Sequence, residues 1–65
     1  SRLQEYLQAN NQSIPEYEIV AIQGQDHAQV FRVACHAQSF QTIAEGTSKK
    51  RAEQNAAQLM LEKLL

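Results

Sequence analysis

Sixty-five residues with six cationic and seven acidic side chains give a formal charge of −1. A chain this short buries only about 60 % of its unfolded surface, so it supports one modest core and lacks room for a deep multi-group catalytic pocket. The lone cysteine, Cys35, rules out an internal disulfide or a thiolate zinc cage, and no apolar run approaches the ~20 residues a spanning helix needs.

Ser1 to Asn10 reads as a short amphipathic helix. Leu3, Tyr6, Leu7 and Asn10 share one face at i, i+3, i+4, i+7 spacing, and Ser1, Gln4, Glu5 and Gln8 share another. Asn10, Asn11, Gln12 and Ser13 supply the stop, and Pro15 biases Ile14 away from helix. From Tyr17 the period becomes two. Tyr17, Ile19 and Ala21 are expected on one face, with Glu18, Val20 and Ile22 on the other. Turn chemistry at Gly24 to His27 leads to a second alternating run. There Phe31, Val33 and Cys35 oppose Val30, Arg32 and Ala34, so the pair reads as an antiparallel hairpin. Phe40 to Glu45 makes a weaker third strand.

Gly46 and Thr47 break the pattern, and Ser48 is a good helix N-cap. Lys49 to Leu65 contains strong helix formers and no glycine or proline. Ala52, Ala56, Met60 and Leu64 form its inward stripe, widened by Ala57 and Leu61. Small residues in the first turns let this helix approach the sheet closely. The expected class is α+β in the order α-β-β-β-α, a three-stranded antiparallel sheet with both helices on one face. Cys35, between Ala34 and His36, reads as a buried small hydrophobe. With no signal-peptide pattern at the start, a reduced cytoplasmic compartment is the expectation.

Three polar clusters carry chemistry. In the first, Gly46-Thr47-Ser48-Lys49-Lys50-Arg51-Ala52, half of the positive charge is gathered on one helical turn. Free N–H groups and the positive dipole end attract anions there. Cations against that dipole are unfavourable by a few tenths to ~1 kcal/mol, so their presence points to a polyanionic partner over a solvated charge run. The second cluster is the tip Gly24-Gln25-Asp26-His27. His27 has no second metal ligand at a useful spacing, so its default reading is a polar loop residue. The third is Ser1, Gln4, Glu5 and Gln8, hydrogen-bonding groups able to address ribose hydroxyls, although a polar outer helix face is also the default for solubility. A helix face, a hairpin tip and a cationic helix start on one side of the module match the succession of minor groove, phosphates and minor groove on A-form RNA.

With these residues in hand, the chain resembles a double-stranded-RNA-binding domain over essentially all 65 residues. The motif residues are Ser48-Lys49-Lys50-Arg51-Ala52 with Ala56 and Ala57, the tip histidine His27, the strand aromatic Phe31, and Pro15 with Tyr17. Arg2-Leu3-Gln4-Glu5-Tyr6-Leu7-Gln8 and Arg51-Ala52-Glu53-Gln54, continuing to Ala56 and Ala57, are similar to the C-terminal domain of bacterial ribonuclease III. The resemblance implies that Gln4, Glu5 and Gln8 meet one minor groove and that Gln25, Asp26 and His27 meet the next. It also implies that Lys49 and Lys50, with Arg51, grip phosphates between them. Ala44 stands where the family has a glycine, Glu53 where it has a third lysine, and Ser1 where ribonuclease III has threonine.

The resemblance further implies a parent enzyme that cleaves double-stranded RNA, such as rRNA and mRNA precursors. Its separate nuclease domain would bind magnesium, and the parent would be a homodimer. Residues 1–65 would be the RNA-binding domain, monomeric by itself, without cofactor, catalytic residue or membrane contact. The seven acidic residues are dispersed and suggest no two-metal arrangement. A rival reading on the same fold is a protein–protein or dimerisation module with weak or no RNA binding. Retention of Lys49, Lys50 and His27 argues against it.

Overall fold

A computed structural model describes residues 2–65, in the order α1 (Arg2–Ala9), β1 (Glu16–Gln23), β2 (Val30–Ala37), β3 (Phe40–Gly46) and α2 (Lys49–Leu64). Ser1, expected to open α1 and its polar stripe, lies outside the described residues. The strands form one antiparallel sheet in the order β1-β2-β3. The α-β-β-β-α order and the sheet expected from the sequence are both present.

α1 ends one residue earlier than the apolar spacing suggests. Asn11 takes a left-handed conformation, φ 59°, which asparagine tolerates better than most residues. The N–H groups of Asn11 and Gln12 then turn back to the carbonyls of Gln8 and Leu7, at 3.1 and 2.8 Å. That pairing satisfies the open carbonyls of the last turn. Asn10 is therefore the exposed cap, and only Leu3 and Leu7 are fully buried on this helix, with Tyr6 half-buried.

The core joins Leu3 and Leu7 to Cys35 and Ala37 of β2 and to Ala56, Met60 and Leu61 of α2. Full burial of each large aliphatic side chain contributes about 1.5–3 kcal/mol. Leu64, expected on the inward stripe of α2, is only half-buried, and Leu61 takes the deeper position. α2 lies across β2 and β3, while α1 leans chiefly against α2. The Tyr6 hydroxyl donates to the Leu64 carbonyl at 3.1 Å, tying α1 to the last turn of α2. Two further bonds seat α2 on β3. Thr42 Oγ1 donates to the Ala56 carbonyl, and Asn55 Nδ2 donates to the Glu45 carbonyl, each at 2.8 Å.

The expected alternation in β1 holds only to Ile19. The register then slips, so that Ile19 opposes Val33 but Ala21 opposes Arg32. Val20 is the extra residue of a β-bulge. Residues opposite each other share a face. Ile22, opposite Phe31, thus returns to the helix side with Tyr17 and Ile19, and Ala21 moves to the open side. Ala34 also departs from a simple inside–outside reading. It points to the open side of the sheet yet is fully buried, flanked in register by Glu18 and Ile43. That open side carries the Arg32–Glu45 ion pair, at 2.7 Å, and a 3.4 Å contact from His36 Nε2 to Glu18.

Cys35 is free and buried, as its neighbours suggest. Burial pushes its thiol pKa up, against hydrogen bonds with Tyr17 and Thr42 that pull it down. Across the strand pair, burial pushes the Tyr17 phenol up to about 12, helped by Cys35 and by the charge of Glu53. A phenol whose folded-state pKa is raised keeps its proton after the unfolded chain has lost it. Its contribution is fully present below about pH 10 and is lost as pH rises from about 10 to about 12. The melting temperature therefore falls across that window, and Tyr17→Phe removes part of the fall. Superimposable pH profiles of the two proteins in thermal unfolding would contradict this assignment.

Candidate nucleic-acid interface

The three clusters stand on different elements, and each has a local reason for its placement. Gln4, Glu5 and Gln8 are exposed on α1, on the side away from Leu3 and Leu7. Gln25, Asp26 and His27 are exposed in the β1–β2 turn. That turn opens with Gly24 at φ 95°, where a Cβ would collide with the carbonyl oxygen of Ala28. The Ala28 N–H closes it with a 2.8 Å bond to the Gln25 carbonyl. Lys49, Lys50 and Arg51 are exposed on the first turn of α2.

That first turn is capped as expected. Ser48 is extended, with φ −145° and ψ 163°, and its hydroxyl oxygen accepts from the Arg51 N–H at 3.1 Å. No acidic side chain occupies the turn. Ser48→Ala should lower stability by about 1 kcal/mol, a melting shift of roughly 4–8 °C in a domain of this size. Calorimetry of the two proteins checks it, and an unchanged melting temperature would mean that the cap contributes nothing.

Close approach of α2 to the sheet sets where the cations sit. A Cβ on Gly46 would lie 2.5 Å from the Ala52 nitrogen and 2.8 Å from the Arg51 carbonyl carbon. The bare backbone of Gly46 and the small side chain of Ala52, fully buried, let the helix start rest on the end of β3.

Two surface concavities link the clusters. One is lined by Asp26, His27 and Phe31 together with Thr47, so the hairpin tip sits beside the entry to α2. The other has Leu3, Ala57 and Leu61 among its apolar lining and carries Arg2, Lys50, Glu53 and Gln54, so the start of α1 faces the first turns of α2. Arg2 and Gln54 thereby join a surface on which the three polar clusters did not place them. Arg2 could have been noticed as a cation beside the polar stripe. Gln54, a polar residue within a helix, carries no comparable local signal, whereas Thr47 already belongs to the cationic cluster.

The fate of the cations separates two groups. Arg32 is held by Glu45, with Nε and Nη2 at 3.1 and 2.7 Å from one carboxylate oxygen. Lys63 lies over the Phe40 ring, 5.4 Å from its centroid. Among the described residues, Arg2, Lys49, Lys50 and Arg51 have no ion pair. Cations that are both exposed and unneutralised concentrate on the α1–α2 end of the molecule. Among the described residues no three His, Cys, Asp or Glu side chains converge into a ligand set.

The family model of the double-stranded RNA binding motif matches residues 1–64. The chain belongs to this family. Over 98 % of its length it is 48 % identical to Ribonuclease 3 of Alkalilimnicola ehrlichii and 46 % identical to Ribonuclease 3 of Histophilus somni. It spans 29 % and 30 % of the length of those curated relatives. A solved structure of Arabidopsis HYL1 superposes with a TM-score of 0.83 at 34 % identity, covering 97 % of this chain and 90 % of that one. The second double-stranded-RNA-binding domain of DRB4 superposes with a TM-score of 0.68 at 28 % identity, covering 97 % and 89 %. No helix among the described residues is long and apolar enough to cross a membrane.

Proposed function

We propose that this chain binds double-stranded RNA by its A-form shape. α1 enters one minor groove with Gln4, Glu5 and Gln8, and the turn carrying Gln25, Asp26 and His27 enters the next. Lys49 and Lys50, with Arg51, grip the phosphates between. The observation that carries this reading is the set of exposed, unneutralised cations on the capped first turn of α2. Backbone N–H groups and side-chain charge both favour an anion there. The longest dimension of the molecule, 41 Å, suits a footprint of about 16 base pairs across two minor grooves.

The likeness to Ribonuclease 3 over nearly the whole chain supports a larger role. In it, residues 1–65 form the RNA-binding C-terminal domain of a cytoplasmic, homodimeric ribonuclease III. Magnesium and the hydrolysis of precursor RNAs belong to a separate nuclease domain. This part holds the duplex by itself as a monomer.

Competition with a labelled RNA duplex of about 20 base pairs tests the binding mode. Unlabelled RNA duplex should compete with little regard to sequence, and DNA duplex of the same sequence should compete at least about tenfold less well, because it lacks the 2′-hydroxyls and the A-form grooves. Equal competition by both would sink recognition by shape and hydroxyls. Concentration-dependent self-association without RNA retention would favour a protein-docking module instead.

A further inference from the structure

We infer that Arg2 is a further RNA-contacting residue, which joins the α1 and α2 contacts into one cationic surface. The inference rests on the RNA-binding reading above. Its ground is the groove in which Arg2 and Leu3 of α1 face Lys50, Glu53 and Gln54 of α2.

The charge balance of that groove is decisive. Its rims carry two cations, Arg2 and Lys50, and one carboxylate, Glu53. Without Arg2, Glu53 offsets Lys50 and the groove is neutral. With Arg2 it is net positive, on the side of the cationic turn that faces α1. Glu53 sits three residues after Lys50 and four after Lys49, so it shares their side of the helix. The groove is therefore where the cationic surface would otherwise be interrupted.

Arg2 is also available. It is exposed and makes no ion pair among the described residues, unlike Arg32, which Glu45 holds. It neighbours Leu3, which is buried at 2 % exposure, so its backbone is fixed by the core while the guanidinium remains free. A fork-shaped cation on a fixed backbone suits a phosphate oxygen pair. It lies beside the stripe through which α1 addresses the minor groove. On binding, α1 would thus supply a charge contact as well as hydroxyl contacts, and the phosphates it meets would be those next to the ones held by Lys50.

The test is a salt titration of duplex RNA binding by four proteins: the natural chain, Arg2→Gln, Arg2→Lys and Arg32→Gln. One phosphate contact contributes close to one unit of log–log salt slope, roughly three- to tenfold in affinity near 0.1 M salt. Arg2→Gln is expected to bind roughly three- to tenfold more weakly, with a slope shallower by about one. Arg2→Lys should restore most of the slope, and Arg32→Gln should leave both quantities unchanged. If the natural chain binds and Arg2→Gln matches it in affinity and slope, Arg2 makes no contact and the inference is overturned. It is equally overturned if affinity falls with the slope unchanged, since that is a structural effect. If the natural chain does not bind duplex RNA at all, the failure lies in the underlying reading of the fold's function.

Discussion

Replacing Lys49 and Lys50 together with alanine should weaken duplex RNA binding roughly fifty- to hundredfold at 0.1 M salt, with the fold retained. The magnitude follows from counterion release. Each phosphate contact contributes about 0.9 to the slope of log affinity against log salt, so two contacts amount to roughly sixtyfold between 1 M and 0.1 M salt. The slope itself should fall by about two. Both side chains are exposed and neither is in an ion pair among the described residues. Alanine is also a strong helix former, so α2 should survive the change. Salt titrations with a labelled duplex measure affinity and slope together, and circular dichroism reports the fold. A folded double variant with undiminished affinity would move the phosphate grip away from the start of α2.

Gly46→Ala tests how that grip is positioned. The added Cβ would meet the backbone of Arg51 and Ala52 at 2.5–2.9 Å. No side-chain rotation relieves such an overlap, so the first turn of α2 has to move off the end of β3. Overpacking of this kind costs roughly 1–3 kcal/mol, a melting decrease of roughly 5–20 °C in a domain this small. Displacement of the turn would also carry Lys49, Lys50 and Arg51 with it. Affinity should therefore fall even at temperatures where the variant remains folded. The bonds from Thr42 and Asn55 to the Ala56 and Glu45 carbonyls resist the displacement, which is why relaxation is expensive. A melting temperature within about 2 °C of the natural chain would show that α2 can shift freely, and the close approach would then have no role in placing the cations.

These two variants separate the chemistry of the site from its support. In the proposed binding mode Lys49 and Lys50 act through charge at the surface. Gly46 acts through a missing atom beneath it. Only the first should change binding while leaving stability nearly alone.

Much of the architecture was legible from local features. Ser48 announces the start of α2 because a hydroxyl before a run of helix formers can take the N–H of the third residue on, as it does with Arg51. Alternation identified β2 through Phe31, Val33 and Cys35 because one side of that strand is covered by α2. Gly24 to His27 announced a turn, and Gly24 does take the positive φ that opens it. The order of elements, the cationic turn and the exposed tip all follow from short-range rules, since caps, turns and periodicity involve residues a few positions apart.

Other features depend on partners distant in sequence, and only the folded chain decided them. The slip at Val20 is a matter of how β1 and β2 pair, so the alternation of β1 alone pointed Ala21 and Ile22 to the wrong sides. Composition counts six cations, but it does not show that Glu45 holds Arg32 from thirteen residues away or that Lys63 rests on Phe40. Nor does it bring Arg2 to the groove that holds Lys50. A net charge of −1 therefore says little about affinity for a polyanion. The sequence by itself determined where helices, turns and the cationic cluster lie, because each rests on neighbours along the chain. The tertiary structure alone decided which cations remain unneutralised and which elements share one surface, because ion pairing and packing depend on distance in space.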